Sequence, residues 1–323
     1  MSTNSITSAG LSITAPARLH LGFLDLNGAI GRRYGSIGLA VDRPATRLTI
    51  VPSSANRAEG PEHARVLKLL DSFTRGRTQR YSVTTHDAIP AHAGLGSGTQ
   101  LSLAVGAAIA QLEDRHMTAN DLAILGARGA RSGIGLAAFT GGGFIIDGGR
   151  GPHDQPPPVT LQTPFPDDWR VLLILDTNRA GVSGEAETTA FAGLPEFPNA
   201  MAANICHLVL MKLVPGLKET DLNAFGAALT EIQQIVGWHF AGKQGGSPWT
   251  SPAVGRLAQR MQTLGATGIG QSSWGPTGFA FVSGHEAAER LYHSLVGDAK
   301  RDGLDIAIAR GRNAGAQIEP YRP

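Results

Sequence analysis

The chain has 323 residues, 42% hydrophobic and 17% charged, and its 28 basic and 26 acidic side chains leave a net charge of +2. That length predicts about two domains of ~150 residues, and the near-neutral balance argues against a nucleic-acid-binding stripe or an acidic tail. One cysteine, Cys206, excludes an intrachain disulfide framework and every multi-cysteine metal site.

In chain order, Met1 to Gly10 is polar and lacks a basic stretch before an apolar one, so residues 1–10 read as a flexible N-terminus and not as a signal peptide. Residues 11–23 alternate: Leu11, Ile13, Ala15, Ala17, Leu19, Leu21 and Phe23 share one parity. Period two predicts a half-buried strand, with Arg18 and His20 as neighbours on its polar face. A strand pair is expected at Ile37–Val41 and Ala45–Val51, turning at Asp42-Arg43-Pro44. Leu101, Val105, Ala108, Ile109 and Leu112 form a helical stripe directly after a glycine-rich loop. Leu122–Arg131 reads as a second helix and Gly143–Asp147 as a short buried strand. The longest apolar run, Leu103–Ala110, falls far short of the ~20 residues of a membrane span, so a soluble cytoplasmic protein is expected.

Between Gly148 and Pro166 the text is glycine, proline and polar residues, which sets the predicted boundary between units 11–155 and 165–323. Past it, Val171–Leu175 predicts a strand. Helical stripes follow at Met201/Ile205/Leu208, Leu222/Phe225/Leu229/Ile232, Val254/Leu257/Ala258/Met261/Leu264 and Ala287/Leu291/Leu295, with strands at Phe279–Val282 and Asp305–Ala309. Strands interleaved with helices and mostly joined as hairpins predict an α+β layer pair.

Glycine supplies 42 residues, about twice its usual share of roughly 7%. The glycines gather at 94–98, 126–151, 242–246 and 265–278, where tight turns or close approach to a ligand are expected. The first cluster, Gly94-Leu95-Gly96-Ser97-Gly98-Thr99-Gln100, runs straight into the helical stripe. A helix start there offers unpaired amides and the positive end of the dipole to a phosphate or diphosphate, and Ser97 and Thr99 add hydroxyls. A Walker loop would need a lysine where Thr99 stands, and a nucleophile elbow would need glycines in place of Leu95 and Thr99. A dinucleotide fingerprint would follow an apolar strand, but Thr84–Pro90 is not one. An anion site and an ordinary Ser/Thr-capped helix start both remain open on this pattern.

Pro90 to Ala104 resembles the phosphate loop of the GHMP kinase superfamily. Further segments resemble one branch of it, the β-ribofuranosylaminobenzene 5′-phosphate synthases of methanopterin biosynthesis. They are Arg18–Gly28, Gly31–Gly38, Arg131–Gly135, Gly142–Gly149 and Gln271–Thr277, in that order. The resemblance implies a two-domain fold, with a ribosomal-protein-like α/β unit before a ferredoxin-like one. Two departures from the kinase pattern point to the same branch. Gly135 stands where the kinases carry an aspartate in Ser-Gly-x-Asp, and Gly98 replaces a second serine that ligates magnesium in several relatives. Without base and metal hydroxyl, phosphoryl transfer would be poor, while a diphosphate grip would lose nothing.

The resemblance also implies a reaction. 5-Phosphoribosyl pyrophosphate (PRPP) and 4-aminobenzoate or 4-hydroxybenzoate condense, with loss of carbon dioxide and diphosphate, to a C-riboside. On that reading Gly94, Leu95, Gly96, Ser97, Gly98, Thr99 and Gln100 hold the diphosphate. Mg²⁺ bridges its oxygens, with Ser97, Thr99 and Asp25 as candidate ligands. Arg18, His20 and Asp25 are the catalytic candidates: the first two for a phosphate or the benzoate carboxylate, the third for the ribose cation. Gln271, Ser272, Ser273 and Trp274 are candidates for the aromatic substrate, with Trp274 stacking on its ring. Asp176, Arg179 and Glu185 form a weaker polar group. The ten histidines show no metal-ligand spacing, so zinc is not expected. The resemblance further implies a homodimer acting on small molecules, with no nucleic-acid or membrane partner. A GHMP small-molecule kinase using ATP is the enzymatic alternative, and a binding module that has lost catalysis is the other.

Overall fold

The computed structural model describes residues 10–153, 155–179, 181, 189–190 and 192–322. The first half runs β1 (Gly10–Asp25), β2 (Tyr34–Ser53), β3 (Arg57–Glu59), α1 (His63–Phe73), β4 (Arg80–Asp87), α2 (Ser97–Leu112), α3 (Ala119–Leu125), α4 (Ile134–Thr140), β5 (Phe144–Asp147) and β6 (Val159–Thr163). The second runs β7 (Trp169–Asp176), α5 (Asn199–Leu208), a π-helical turn (Val209–Leu213), α6 (Val214–Lys218), α7 (Leu222–Phe240), α8 (Pro252–Thr263), β8 (Thr267–Gln271), β9 (Thr277–Ser283), α9 (His285–Arg301), β10 (Leu304–Arg310) and β11 (Gln317–Tyr321).

Two sheets result. In the second, antiparallel strands lie in the order β10-β7-β9-β8, so the last, first, third and second strands of that unit sit side by side. With helices between β7 and β8 and between β9 and β10, this is the expected ferredoxin-like arrangement. In the first sheet the order is β11-β1-β2-β4-β3, with β5 on the opening half of β2 and β6 on β5. The fold is the α+β pair that the sequence predicts.

The apolar parity of β1 is as read, with Leu11, Ile13, Ala15, Ala17, Leu19, Leu21 and Phe23 all buried, but the strand is not half-buried throughout: Pro16, His20 and Gly22 of the other parity are buried too, because the second unit covers that face. The expected hairpin at residues 37–51 is instead one long strand. Against β1 its register jumps from Ala45 to Val41, so Asp42-Arg43-Pro44 form an excursion inside β2. The excursion is used: Asp42 accepts from the Arg310 backbone amide at 2.8 Å and pairs with its side chain at 3.2 Å, tying β2 to β10. The helix expected over 122–131 ends at Leu125, leaving residues 126–133 as a loop. Neither β6 nor β11 respects the predicted boundary at 155–165. β6 joins the first sheet, and β11 returns from the far side of the second unit to pair with β1.

A shared core joins the halves. Leu19, Leu21 and Phe23 of β1 belong to the same buried cluster as Phe225, Leu229 and Ile232 of α7 and Phe279 and Phe281 of β9. The run Asn199–Lys218 is apolar and long enough to cross a membrane, unlike Leu103–Ala110, but its Ala202, Ile205, Leu213 and Leu217 sit in this core.

Candidate active site

Between the sheets, the glycine-rich loop ends in Gly96, which caps α2 in a left-handed conformation (φ 81°) with no side-chain capping bond. That removes the Ser/Thr-capped alternative. Thr99 N–H reaches the Gly96 carbonyl at 3.1 Å, while the amides of Ser97 and Gly98 find no partner among the described residues. A 16-residue helix thus presents bare donors and its positive dipole end to one spot.

Guanidinium groups surround that spot. Arg18 donates from Nη1 to the Gly94 carbonyl at 2.6 Å, and its backbone N–H bonds the Leu95 carbonyl at 3.1 Å. Arg65 and Arg128 converge on Gly98, where a Cβ would lie 3.0 Å from Arg65 Nη2 and 3.2 Å from Arg128 Nη1. Partial burial and then the charge of Arg65 pull the Arg128 pKa below its usual value. Arg18, Arg128 and Arg131 line a cavity of about 270 Å³ together with His20, Phe23 and Thr99, and no carboxylate lines it among the described residues. Four guanidinium groups gathered at one helix start suit a polyanion, and Arg65 is also paired with Glu62 at 2.7 Å. Where the resemblance puts the kinases' aspartate, Gly135 lines the cavity, and a Cβ there would make a tight contact of 3.0 Å with Thr99 Cγ2.

The far wall is aromatic. His20 packs its ring 4.3 Å from that of Phe23, which meets Tyr34 at 6.3 Å and Phe240 at 6.0 Å. Burial first, then the charge of Arg18, lowers the His20 pKa to about 3, so its imidazole is neutral at ordinary pH. The β8–β9 turn is clamped behind it. Ser272 Oγ accepts from His20 N–H at 2.9 Å and donates to the Gly94 carbonyl at 2.6 Å, and the Ser273 amide reaches the His20 carbonyl at 3.3 Å. Backbones touch here: a Cβ on Gly94 would lie 2.2 Å from the Ser272 carbonyl oxygen.

The structure sorts the expected residues. Arg18, His20, Thr99 and Ser273 reach the cavity, and Ser97 and Gly98 open the helix beside it. Several others serve the framework. Leu95 is 1% exposed within the core. Gln100 is fully buried and donates to the Gly135 carbonyl at 2.8 Å. Ser272 is the clamp just described. Trp274, expected to stack on substrate, is instead 3% exposed and set edge-on to Phe240 at 4.8 Å. Gln271 spends its amide inside the protein, accepting from Thr250 N–H at 2.8 Å and donating to Gln244 Oε1 at 2.8 Å. Asp25 closes a turn by accepting from the amides of Asn27 and Gly28 at 2.6 and 3.0 Å and is absent from the cavity lining. Asp176 accepts from Ser251, the cap of α8, at 2.6 Å, and Arg179 lies 3.8 Å from it. Neither lines the cavity, and Glu185 lies outside the described residues.

Sequence reasoning missed Arg65, Arg128 and Arg131. The last two stand three apart in Gly126-Ala127-Arg128-Gly129-Ala130-Arg131-Ser132-Gly133. Guanidinium groups spaced by small residues beside a phosphate loop are the signal that a helical reading of 122–131 hid. The loop is fixed by Asp147, whose carboxylate accepts from Gly133 N–H at 2.8 Å and from the Ser132 hydroxyl at 3.0 Å. For magnesium, the cavity brings only hydroxyls, and no cluster of three His, Cys, Asp or Glu exists among the described residues. Such a donor set does not build a protein-held Mg²⁺ site.

The chain is similar to known proteins over most of its length. The family models "GHMP kinases N terminal domain" and "GHMP kinases C terminal" match residues 63–143 and 213–300. The chain is 32% identical over 333 residues to the β-ribofuranosylphenol 5′-phosphate synthase of Methanothermobacter thermautotrophicus, covering 95% of this chain and 98% of that one. It is 33% identical over 331 residues to the protein of the same name from Archaeoglobus fulgidus, covering 96% and 99%. Among solved structures, the homoserine kinase of Cytophaga hutchinsonii superposes with a TM-score of 0.68 at 18% identity, covering 99% of this chain and 100% of that one, a likeness of fold alone.

Proposed function

Because the chain belongs to the family of β-ribofuranosylphenol 5′-phosphate synthases, built on the GHMP kinase fold, we propose that it couples PRPP to a para-substituted benzoate. The C1–O bond of the ribose breaks with its electron pair leaving on diphosphate. The ring carbon that bears the carboxylate forms the new C–C bond, and loss of carbon dioxide returns the electron pair that restores aromaticity. No proton has to be removed from that carbon, so the reaction needs no carboxylate base there.

The observation that carries this reading is the arginine-lined cavity at the start of α2, which has no side-chain cap. Departing diphosphate gains charge as the bond stretches, and fixed guanidinium and amide donors stabilise that state more than the starting one. The His20 and Phe23 rings, tilted 51° to each other, offer apolar faces for an arene and keep water from the ribose cation. Magnesium would enter as the counter-ion that PRPP carries with it, since the described residues form no acidic cage for it. The kinase alternative is less supported, since Gly135 stands where the resemblance puts the acid and a Cβ there would crowd Thr99.

The relatives' name speaks of a phenol, so 4-hydroxybenzoate is the first acceptor to try, with 4-aminobenzoate beside it. Incubation with PRPP, Mg²⁺ and carboxyl-labelled acceptor should release labelled carbon dioxide. Release with ATP in place of PRPP, or none with PRPP and either acid, would refute the proposal.

A further inference from the structure

The cavity holds an uneven inventory of hydrogen-bonding groups. Arg18, Arg128 and Arg131 only donate, which suits phosphates and carboxylates. Acceptors are few. The Ser132 hydroxyl is given to Asp147, and Thr99 stands beside the helix start. At the aromatic end two acceptors are left, His20 and Ser273, which line both the main cavity and the slot running on toward Phe240.

Each has a feature that a framework residue does not need. The buried His20 imidazole is neutral, so one of its two ring nitrogens carries a lone pair that can accept. Ser273 sits at φ 55°, a left-handed conformation costly for a non-glycine residue. Its neighbour Ser272 uses its own hydroxyl twice as a clamp, whereas the Ser273 hydroxyl makes no bond among the described residues. Strain at a residue whose polar group is left for the cavity marks a function.

Resting on the reading of the preceding subsection, we propose that His20 and Ser273 recognise the para substituent of the acceptor. Its hydroxyl or amino hydrogen is taken by the imidazole lone pair and the serine oxygen while the ring lies against Phe23. Attack by the opposite ring carbon draws electrons from the para heteroatom and makes its hydrogen more acidic, so this hydrogen bond strengthens toward the transition state. The pair therefore sets both acceptor choice and rate, and the arginines are left to the phosphates.

The test compares 4-hydroxybenzoate with 4-methoxybenzoate, which keeps the ring and oxygen but lacks the hydrogen. Wild type should prefer the hydroxyl acid, and His20→Phe should lose about tenfold in kcat/KM for it with little change for the methoxy acid. Ser273→Gly, which suits the backbone angle, repeats the comparison without risk to folding. In both variants KM for PRPP should stay within about twofold. An unchanged preference in two folded, active variants, or a loss falling on PRPP instead, overturns the assignment while the parent activity stands. A wild-type protein inert with PRPP and every benzoate refutes that parent reading, and the assignment with it.

Discussion

Asp147 is fully buried, and its carboxylate accepts from the amides of Ser36, Gly133 and Gly149 and from the Ser132 hydroxyl, all within 2.8–3.0 Å. Burial still outweighs these bonds and raises its pKa. Four donors aimed at one group leave no place for an amide. Asp147→Asn must turn an NH₂ against at least one of them, and it should destabilise the protein by about 1–3 kcal/mol in urea unfolding. Because Ser132 and Gly133 follow Arg131 directly, the same variant should weaken inhibition by inorganic diphosphate. At this scale the sequence showed residues whose periodicity forces a direction, such as Arg18 and His20 on β1. It did not show which polar groups the fold would consume. Ser272, Gln271 and Asp25 are polar and sit in the right segments, yet each is spent on a backbone partner that only the assembled turns reveal.

Among elements, the start of α2 is the most constrained. Gly96 carries φ 81°, and a Cβ there would lie 3.0 Å from Arg18 Cγ. Gly96→Ala should cost about 1–2 kcal/mol for the left-handed backbone. By pushing Arg18 aside it should also reduce affinity for inorganic diphosphate about tenfold, measured by calorimetry. This loop was legible because glycine chemistry is local. β2 was not. Asp42-Arg43-Pro44 has the composition of a turn, and only pairing with β1 on one side and β10 on the other shows that the strand continues through it. The helix expected through Arg131 failed for a related reason: Gly126 and Gly129 end the pattern early, and the arginines beyond belong to a loop held from β5.

For the molecule as a whole, His20 joins site and stability, being 4% exposed in the core where the sheets meet. Its pKa falls from 6.5 to about 3 on folding, so the unfolded chain binds a proton that the native state refuses. Stability is then lost as pH falls through 6.5 toward 3, by about 2 kcal/mol between pH 6.5 and 5 from this residue alone. Denaturation of wild type against His20→Phe across that window should show the slope in the first and its loss in the second; parallel curves would contradict it. The α+β layer class was readable from the interleaved strands and helices and the ferredoxin-like half from the family resemblance, but the exchange of β11 between halves was not, since nothing in Gln317–Tyr321 names its partner.

That exchange bears on how the protein is made. Synthesis at ~5–20 residues per second delivers residues 317–321 on the order of 15–60 s after β1 has left the ribosome. Throughout that wait the outer rim of β1 is an open seam of backbone amides and carbonyls, and sister chains on one messenger can stitch onto it. The arginine cavity can be born in working order only if something, a chaperone or simple dilution, keeps that seam untouched until its own strand arrives.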